Sequence, residues 1–258
     1  MQDSAAYLEK KRFFNQLLTI YGRKPVLEAL QEPTAKVYRL HLAESNKNAG
    51  IIEDIIKLAT EKGAEVLYHD RKSLARLSKN SKQDQGVVAD MLCEGYQDYS
   101  DFLAERAAGA IEGKAANGLN ESYDIIALDS ITNPQNLGMI IRSVCAGQTK
   151  ALLLPNKGCA KLDALVIKAS TGTLFRAPIL RCDSLPKALQ DFRDAGCDVY
   201  GLSSHAKTEI GGIQKQKSCV FVLGNETEGV SKEVEKQCNA MVSIPMQRNV
   251  ESLNVAVT

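Results

Sequence analysis

The sequence predicts an α/β protein of two domains, the second built on a parallel sheet, and three observations carry that prediction. The first half of the 258 residues alternates short strand-like runs with helical ones. The second half repeats a strand–helix rhythm, with wholly apolar runs about 20 to 27 residues apart. Between Cys93 and Ser122 the chain turns to Ala, Gly and polar residues, the composition of a boundary. The length allows two cores, and 44% hydrophobic with 24% charged residues is ordinary globular usage.

The first domain is expected over residues 1–95, with a tail at 1–17. Its strands are "VYRLHL" (Val37 to Leu42), "EVLYH" and "GVVADM", separated by a helix in "AGIIEDIIKLATEKG" and another from Arg71 to Ser78. Ile51, Ile52, Ile55, Ile56 and Leu58 recur with a helical period, and Gly63 stands where the helix should end. Residues 96–121 are expected to form a linker holding one helix. In the second domain, 122–258, the candidate strands are Asp124 to Asp129, Ala151 to Leu154, Ala177 to Leu180, Asp198 to Leu202, Cys219 to Leu223 and Met241 to Ile244. Apolar strands joined by segments such as Leu185 to Ala195 imply a parallel sheet covered on both faces. Ligands of such sheets sit beyond the carboxyl ends of the strands, which directs attention to the loops after Leu128, Leu223 and Ile244.

Composition excludes several classes. The first thirty residues have no uninterrupted apolar stretch, so neither a secretory leader nor a membrane partner is expected, and the glycosylation patterns at Asn120 and Asn225 carry no weight. Seven scattered cysteines, never spaced Cys-x-x-Cys, favour a reducing, cytoplasmic setting; Cys197 and Cys219 read as small buried hydrophobes. His41, His69 and His205 show no ligand spacing, so no metal is expected. Residues 1–95 hold 15 Lys and Arg against 13 Asp and Glu, and residues 96–258 hold 17 against 18. The densest basic stretch is "RKSLARLSKNSK", Arg71 to Lys82, with five cations and no acid. It reads as a nucleic-acid contact or as a solvated helix face.

The three loops carry the chemistry. In "ITNPQNLGMIIRS", Asn133 before Pro134 is an N-cap with proline at the first helical position, which puts Asn136 third and Arg142 two turns in. Taken alone, Asn136 could be a cap accessory and Arg142 a surface cation. "LGNETEGVS", Leu223 to Ser231, has the spacing of a failed phosphate loop: Val230 replaces the lysine, and Glu226 with Glu228 would repel phosphate. Its glycines permit close approach of a ligand. In "IPMQRNVESLNVAVT", Pro245 ends a strand and Ser252-Leu253-Asn254 should open a helix, for which Ser and Asn are natural caps.

In this order at strand ends, "NPQNLGMIIR", "LGNETEGVS" and "IPMQRNVESLNVAV" closely resemble the three motifs of the SpoU/TrmH branch of SPOUT RNA methyltransferases, over roughly Tyr123 to the C-terminus. "YGRKPVLEAL" and the α/β unit after it resemble the ribosomal-protein-like RNA-binding domain that precedes the catalytic domain in many ribosomal RNA members. The resemblance implies S-adenosylmethionine-dependent methylation of a ribose 2′-hydroxyl in RNA, ribosomal RNA being favoured, by a homodimer whose cofactor pocket is made by a trefoil knot. General topology rules disfavour a knot, so it enters by resemblance alone. Asn136 and Arg142 would stand at the ribose and its phosphate, Glu226 would help hold the site, and Ser252 and Asn254 would complete it. Leu223, Gly224, Asn225, Gly229, Ile244, Met246 and Leu253 would line the cofactor. Arg23, Arg71, Lys72, Arg76, Lys79 and Lys82 would meet RNA. Asn133 replaces the family's usual Asp before proline, a change between two good caps. The helix after the third motif is expected to be cut short at Thr258.

Methyl transfer from a sulfonium needs no acid for its leaving group, which departs neutral. The ribose hydroxyl is the difficulty, because it is a poor nucleophile until its proton begins to leave. Arg142 suits a phosphate clamp and alkoxide stabiliser better than a base, since a guanidinium releases its proton reluctantly. Glu226, a substrate phosphate or water could accept the proton. Two alternatives keep the fold: a transfer RNA methyltransferase, and a silent RNA-binding member, which would be expected to lack Arg142 or the Ser252–Asn254 pair. An open-sheet Rossmann methyltransferase would want a glycine-rich turn that "LDSITNPQ" does not have.

Overall fold

The computed structural model describes residues 5–46, 50–111, 122–213, 217–246 and 253–257. The chain divides into two compact units, residues 1–96 with 162–177, and residues 97–161 with 178–258. The first unit opens with α1 (Ala5–Asn15), a helix within the expected tail, followed by β1 (Leu17–Tyr21) and α2 (Arg23–Gln31). Then come β2 (Lys36–Ala43), α3 (Ile51–Glu61), β3 (Glu65–His69), α4 (Arg71–Ser78) and β4 (Val87–Leu92). Four strands form one sheet in the order β1-β4-β2-β3, with only the β2–β3 pair parallel.

Local chemistry explains the helix ends. After α3 the Gly63 N–H bonds the Thr60 carbonyl and the Ala64 N–H bonds that of Ala59, while Gly63 takes φ +77, a closure that favours glycine. Asp70 caps α4 by accepting the N–H groups of Lys72 and Ser73. A polar row crosses the sheet from the exposed Thr19 to the half-buried His69. Thr19 donates to Asp90 at 2.7 Å, and the buried His41 donates through Nε2 to the same carboxylate at 3.2 Å. His41 Nδ1 lies 2.9 Å from His69 Nε2, a ring-to-ring hydrogen bond that extends the row.

The second unit has a sheet with the order β10-β12-β9-β11-β6-β7-β8-β5. Its elements in chain order begin with β5 (Tyr96–Asp98), α5 (Tyr99–Ile111), β6 (Asp124–Leu128), α6 (Pro134–Ala146) and β7 (Ala151–Pro155). α7 (Ala164–Ala169) follows and groups with the first unit. β8 (Ile179–Cys182), α8 (Leu185–Asp194), β9 (Asp198–Leu202), β10 (Thr208–Glu209), β11 (Cys219–Leu223), α9 (Lys232–Glu235) and β12 (Ala240–Ser243) complete it. Every neighbouring pair from β10 to β8 is parallel. Ile125, Ala127, Leu153, Leu180, Val199, Val220 and Val222 are buried, as the continuous apolar runs require.

Two expectations need correction. The described part of the expected linker belongs to the second unit, because α5 lays Phe102 against the rings of Tyr123 and Phe192 (5.5 and 6.3 Å between centroids). Its apolar stripe of Tyr99, Phe102 and Leu103 was diluted by alanine and glycine; residues 112–121 lie outside the described part. The strand expected from Ala177 starts at Ile179, since Pro178 has no N–H for the ladder. Among the described residues no helix is long and apolar enough to cross a membrane.

Burial raises the Asp90 pKa, but hydrogen bonds from His41 and Thr19 outweigh it and hold the carboxyl below its ordinary value. A depressed carboxyl stabilises the native state above the unfolded pKa, near about 4, and that contribution is lost as pH falls through the native value. Urea unfolding of wild type and Asp90→Asn at pH 7 and pH 3 should therefore show a smaller acid loss in the variant. Equal losses would mean Asp90 does not drive that pH dependence.

Candidate active site

The β11–β6 pairing sets Leu223 opposite Leu128, so the loops leaving these strands start side by side although 95 residues separate them in sequence. α6 forms where Asn133 accepts the N–H groups of Gln135 and Asn136 and Pro134 takes the first helical position, as the spacing predicts. Its buried face is Asn136, Leu137, Gly138, Ile140, Ile141 and Val144. Asn136 is 4% exposed, and a buried amide requires partners. It finds them on the other two motif loops: Nδ2 donates to Glu226 Oε1, and Oδ1 accepts from Asn254 Nδ2 at 3.2 Å.

The second loop holds its own shape. Asn225 and Gly229 exchange backbone hydrogen bonds of 3.0 and 2.8 Å, and the Asn225 side chain accepts the Thr227 N–H at 2.9 Å. Gly229 takes φ +71. A Cβ on Gly224 would collide with the carbonyl of Gly229 and the nitrogen of Val230. The close approach that requires glycine at 224 is therefore the loop's own return, whereas the sequence suggested a ligand. On the third loop Ile244 and Met246 follow β12, and 253–257 form a single turn among the described residues in place of the expected helix. Asn254 governs that turn, accepting the Ala256 N–H on its side chain and the Val257 N–H on its carbonyl. The cap role and the link to Asn136 thus coexist in one side chain.

These loops wall a cavity of about 390 Å³, a volume typical of small-ligand sites. Leu223, Met241, Ile244, Met246, Leu253 and Val255 supply its apolar wall; Gly224 to Val230 supply the rim. Glu226, Glu228 and Glu235 are its charged lining, with no Lys or Arg among the described lining residues. Ser203, Ser204 and His205, beyond the carboxyl end of β9, were missed from sequence. The strand-end rule that found the other loops would have found them had it been applied there.

Not every expected residue joins the cluster. Arg142 is exposed, and six residues from Asn136 it points about 120° away around the helix axis. Ser252 lies outside the described residues. In the first unit Lys72, Arg76, Lys79 and Lys82 are exposed; Lys72 and Arg76 share one face of α4, and Lys79 is its C-cap. Arg71 instead pairs at 3.3 Å with Asp84, whose side chain is 2% exposed. Arg23 and Arg71, with Ser45, Asn46 and Gln85, line an open polar concavity of about 550 Å³. Arg23 is held there by the Gln85 carbonyl at 3.3 Å and Asn46 Oδ1 at 3.1 Å. The cysteines behave as small hydrophobes: burial pushes the Cys182 thiol up to about 12 and that of Cys238 up to about 11, away from the nucleophilic thiolate.

The family model of the SpoU rRNA Methylase family matches residues 124–258, more than half of the chain. This chain belongs to the SpoU rRNA methylase family. A second model, described as RNA 2′-O ribose methyltransferase substrate binding, matches residues 19–92 of the SpoU-family chain. A protein of Mycolicibacterium vanbaalenii named "Uncharacterized tRNA/rRNA methyltransferase" is 33% identical over 240 residues, 92% of this chain and 72% of the relative. YacO of Bacillus subtilis, whose name places it among TrmH-family tRNA/rRNA methyltransferases, is 29% identical, covering 92% of this chain and 90% of its own. The fold matches a solved structure from Sinorhizobium meliloti, described as an AdoMet-bound rRNA methyltransferase. There the TM-score is 0.58 at 23% identity, covering 96% of this chain and 86% of that one. AviRb of Streptomyces viridochromogenes, in complex with AdoMet, matches at TM-score 0.57 and 22% identity, covering 99% and 94%.

The loop geometry separates its two glycines. Gly224→Ala should open the loop and cost about 1 to 3 kcal/mol of stability, with loss of ligand binding in the cavity. Gly229→Ala, strained at positive φ with nothing to collide with, should cost about 1 kcal/mol. Thermal unfolding of both variants checks the order, and a Gly229→Ala loss larger than that of Gly224→Ala would contradict this loop.

Proposed function

We propose that this SpoU-family chain methylates a ribose 2′-hydroxyl of RNA, ribosomal RNA being the favoured substrate, with S-adenosylmethionine as donor. The observation that carries the reading is the Asn254–Asn136–Glu226 hydrogen-bond chain at the rim of a cavity whose charged lining is acidic. An apolar wall with carboxylates and no lysine or arginine suits an adenosyl group and a cationic sulfonium, and it disfavours phosphate. S-adenosylmethionine, when bound, supplies an electrophilic methyl group. Leu223, Ile244, Met246 and Leu253 hold it, and Glu226, Asn136 and Asn254 fix one another's orientation beside it.

Arg142 clamps the substrate phosphate and favours negative charge on the attacking oxygen. Glu226 has a second carboxylate oxygen to take the hydroxyl proton, alongside a substrate phosphate or water. A homodimer belongs to this reading, because the exposed face of α6 with Met139 and Arg142 turns away from Asn136 and a second copy brings a guanidinium to the cluster. The family's trefoil knot belongs to it as well. The cytoplasm is the setting that suits seven free cysteines. The first unit grips RNA through the exposed cations of α4 and the two-arginine concavity.

Nucleoside analysis of ribosomal and transfer RNA from cells with and without the gene tests the target. Loss of a 2′-O-methyl mark in transfer RNA alone would replace ribosomal RNA as the substrate. A purified chain that binds S-adenosylmethionine in titration and transfers no methyl group would be the silent member. Arg142→Ala should retain cofactor affinity while losing roughly 3 kcal/mol or more of transition-state stabilisation, and Arg142→Lys should also be poor because a point charge cannot reproduce the planar fork. Near-normal single-turnover rates in either variant would remove Arg142 from the site. Replacing Lys72, Arg76 and Lys79 with Gln, and leaving the ion-paired Arg71 in place, should weaken RNA binding at every sequence. The salt dependence should flatten by a little under one log-log unit per lost contact. Unchanged affinity and slope would make α4 a solvated face.

A further inference from the structure

Asp129, the residue after β6, is 7% exposed, and among the described residues no cation pairs with it. A buried carboxylate is costly unless donors satisfy it. Its Oδ2 accepts the backbone N–H of Ser231 at 2.7 Å, and its Oδ1 accepts the Ser130 hydroxyl at 3.1 Å. Its own N–H donates to the Leu223 carbonyl at 2.9 Å. Ser130 sits at φ +62, an unusual conformation for a residue other than glycine, and its carbonyl accepts Asn225 Nδ2 at 3.0 Å. The dipeptide therefore grips the second motif loop at its entry, at Asn225 and at its exit, and between those points lie Gly224 to Val230 on the cavity rim and Glu226 against Asn136.

We propose that Asp129 is a positioning residue of the methyl-transfer site, holding the cofactor-facing loop closed through the Ser231 N–H. The inference rests on the functional reading above. A charge-assisted hydrogen bond is the strongest non-covalent tie available to that loop's exit. Ser231 makes no side-chain cap bond of its own, and its N–H goes to the Asp129 carboxylate at the entry to α9, which carries Glu235 to the cavity.

Ser231 has φ −65, the value proline imposes, so Ser231→Pro deletes the N–H while leaving Asp129 in place. Titration with S-adenosylmethionine and methylation kinetics on wild type, Asp129→Ala, Asp129→Asn, Ser231→Pro and the Ala–Pro double variant decide the matter. Asp129→Ala and Ser231→Pro should each raise Kd and cofactor KM by about tenfold to a hundredfold. Their kcat at saturating cofactor should change far less, because bound ligand reorders the wall. The double variant should be no worse than the weaker single one, since both remove the same bond. Asp129→Asn keeps an acceptor oxygen and should recover most of the affinity. Losses that multiply in the double variant, or a loss in kcat with Kd intact, would overturn the proposal. If Asp129→Ala does not fold, wild-type affinity in Ser231→Pro overturns it independently. A wild-type chain that binds no S-adenosylmethionine overturns the functional reading as well, whereas wild-type binding with an unaffected, folded Asp129→Ala overturns this inference alone.

Discussion

The parallel pairing of β11 with β6, in the register that sets Leu223 against Leu128, is the constraint on which the site depends. It brings the carboxyl ends of two strands level, so the loops that leave them share one space. Asp129 then bonds the Leu223 carbonyl, and Asn136 on the helix after β6 meets Glu226 on the loop after β11. A slip of one residue would turn every side chain of the strand to the opposite face. The buried Val220 and Val222 make such a slip costly, so hydrophobic burial in the sheet sets the polar geometry at its edge.

Above that register, polar groups satisfy one another in a sequence with few spare partners. Asn136 is buried and spends both ends of its amide on the other two motif loops, which ties three strand ends into one cluster. Leaving such an amide unpaired would cost on the order of 1 to 3 kcal/mol. The same economy runs through the second loop, where Asn225 bonds backbone on both sides and the bare Cα of Gly224 makes room for the return strand. The rim of the cavity is held in shape by hydrogen bonds of its own, made without a ligand. Preorganisation of this kind favours selective binding.

In the first unit, the cations divide between building the unit and facing solvent. Arg71 neutralises a buried aspartate, and Arg23 is tied to Gln85 and Asn46. Lys72, Arg76, Lys79 and Lys82 remain exposed, with the buried Leu74 fixing the orientation of the helix that carries Lys72 and Arg76. The row Thr19–Asp90–His41–His69 shows the same principle inside the sheet, where an acid and two imidazoles are tolerated because each has a partner.

Local chemistry determined much by itself. The six apolar runs of the second half became β6, β7, β8, β9, β11 and β12, since a strand buried on both faces must be apolar throughout. Asn133-Pro134 fixed the start of α6, and Gly63 the end of α3, through caps that act over a few residues. The motif spacing at strand ends brought Asn136, Glu226 and Asn254 into one site. Other features needed the tertiary structure. The Asp129–Ser231 bond spans 102 residues, and the meeting of His41 with His69 comes from β2–β3 pairing; neither leaves a periodic trace. Arg142 and Asn136 stand six residues apart in one motif, yet the turn of the helix separates them, and Gly224 is explained only by a backbone folding onto it from five residues ahead. Short-range caps and periodicities are written in neighbouring residues. Contacts closed by strand order and loop return exist only once the chain has folded.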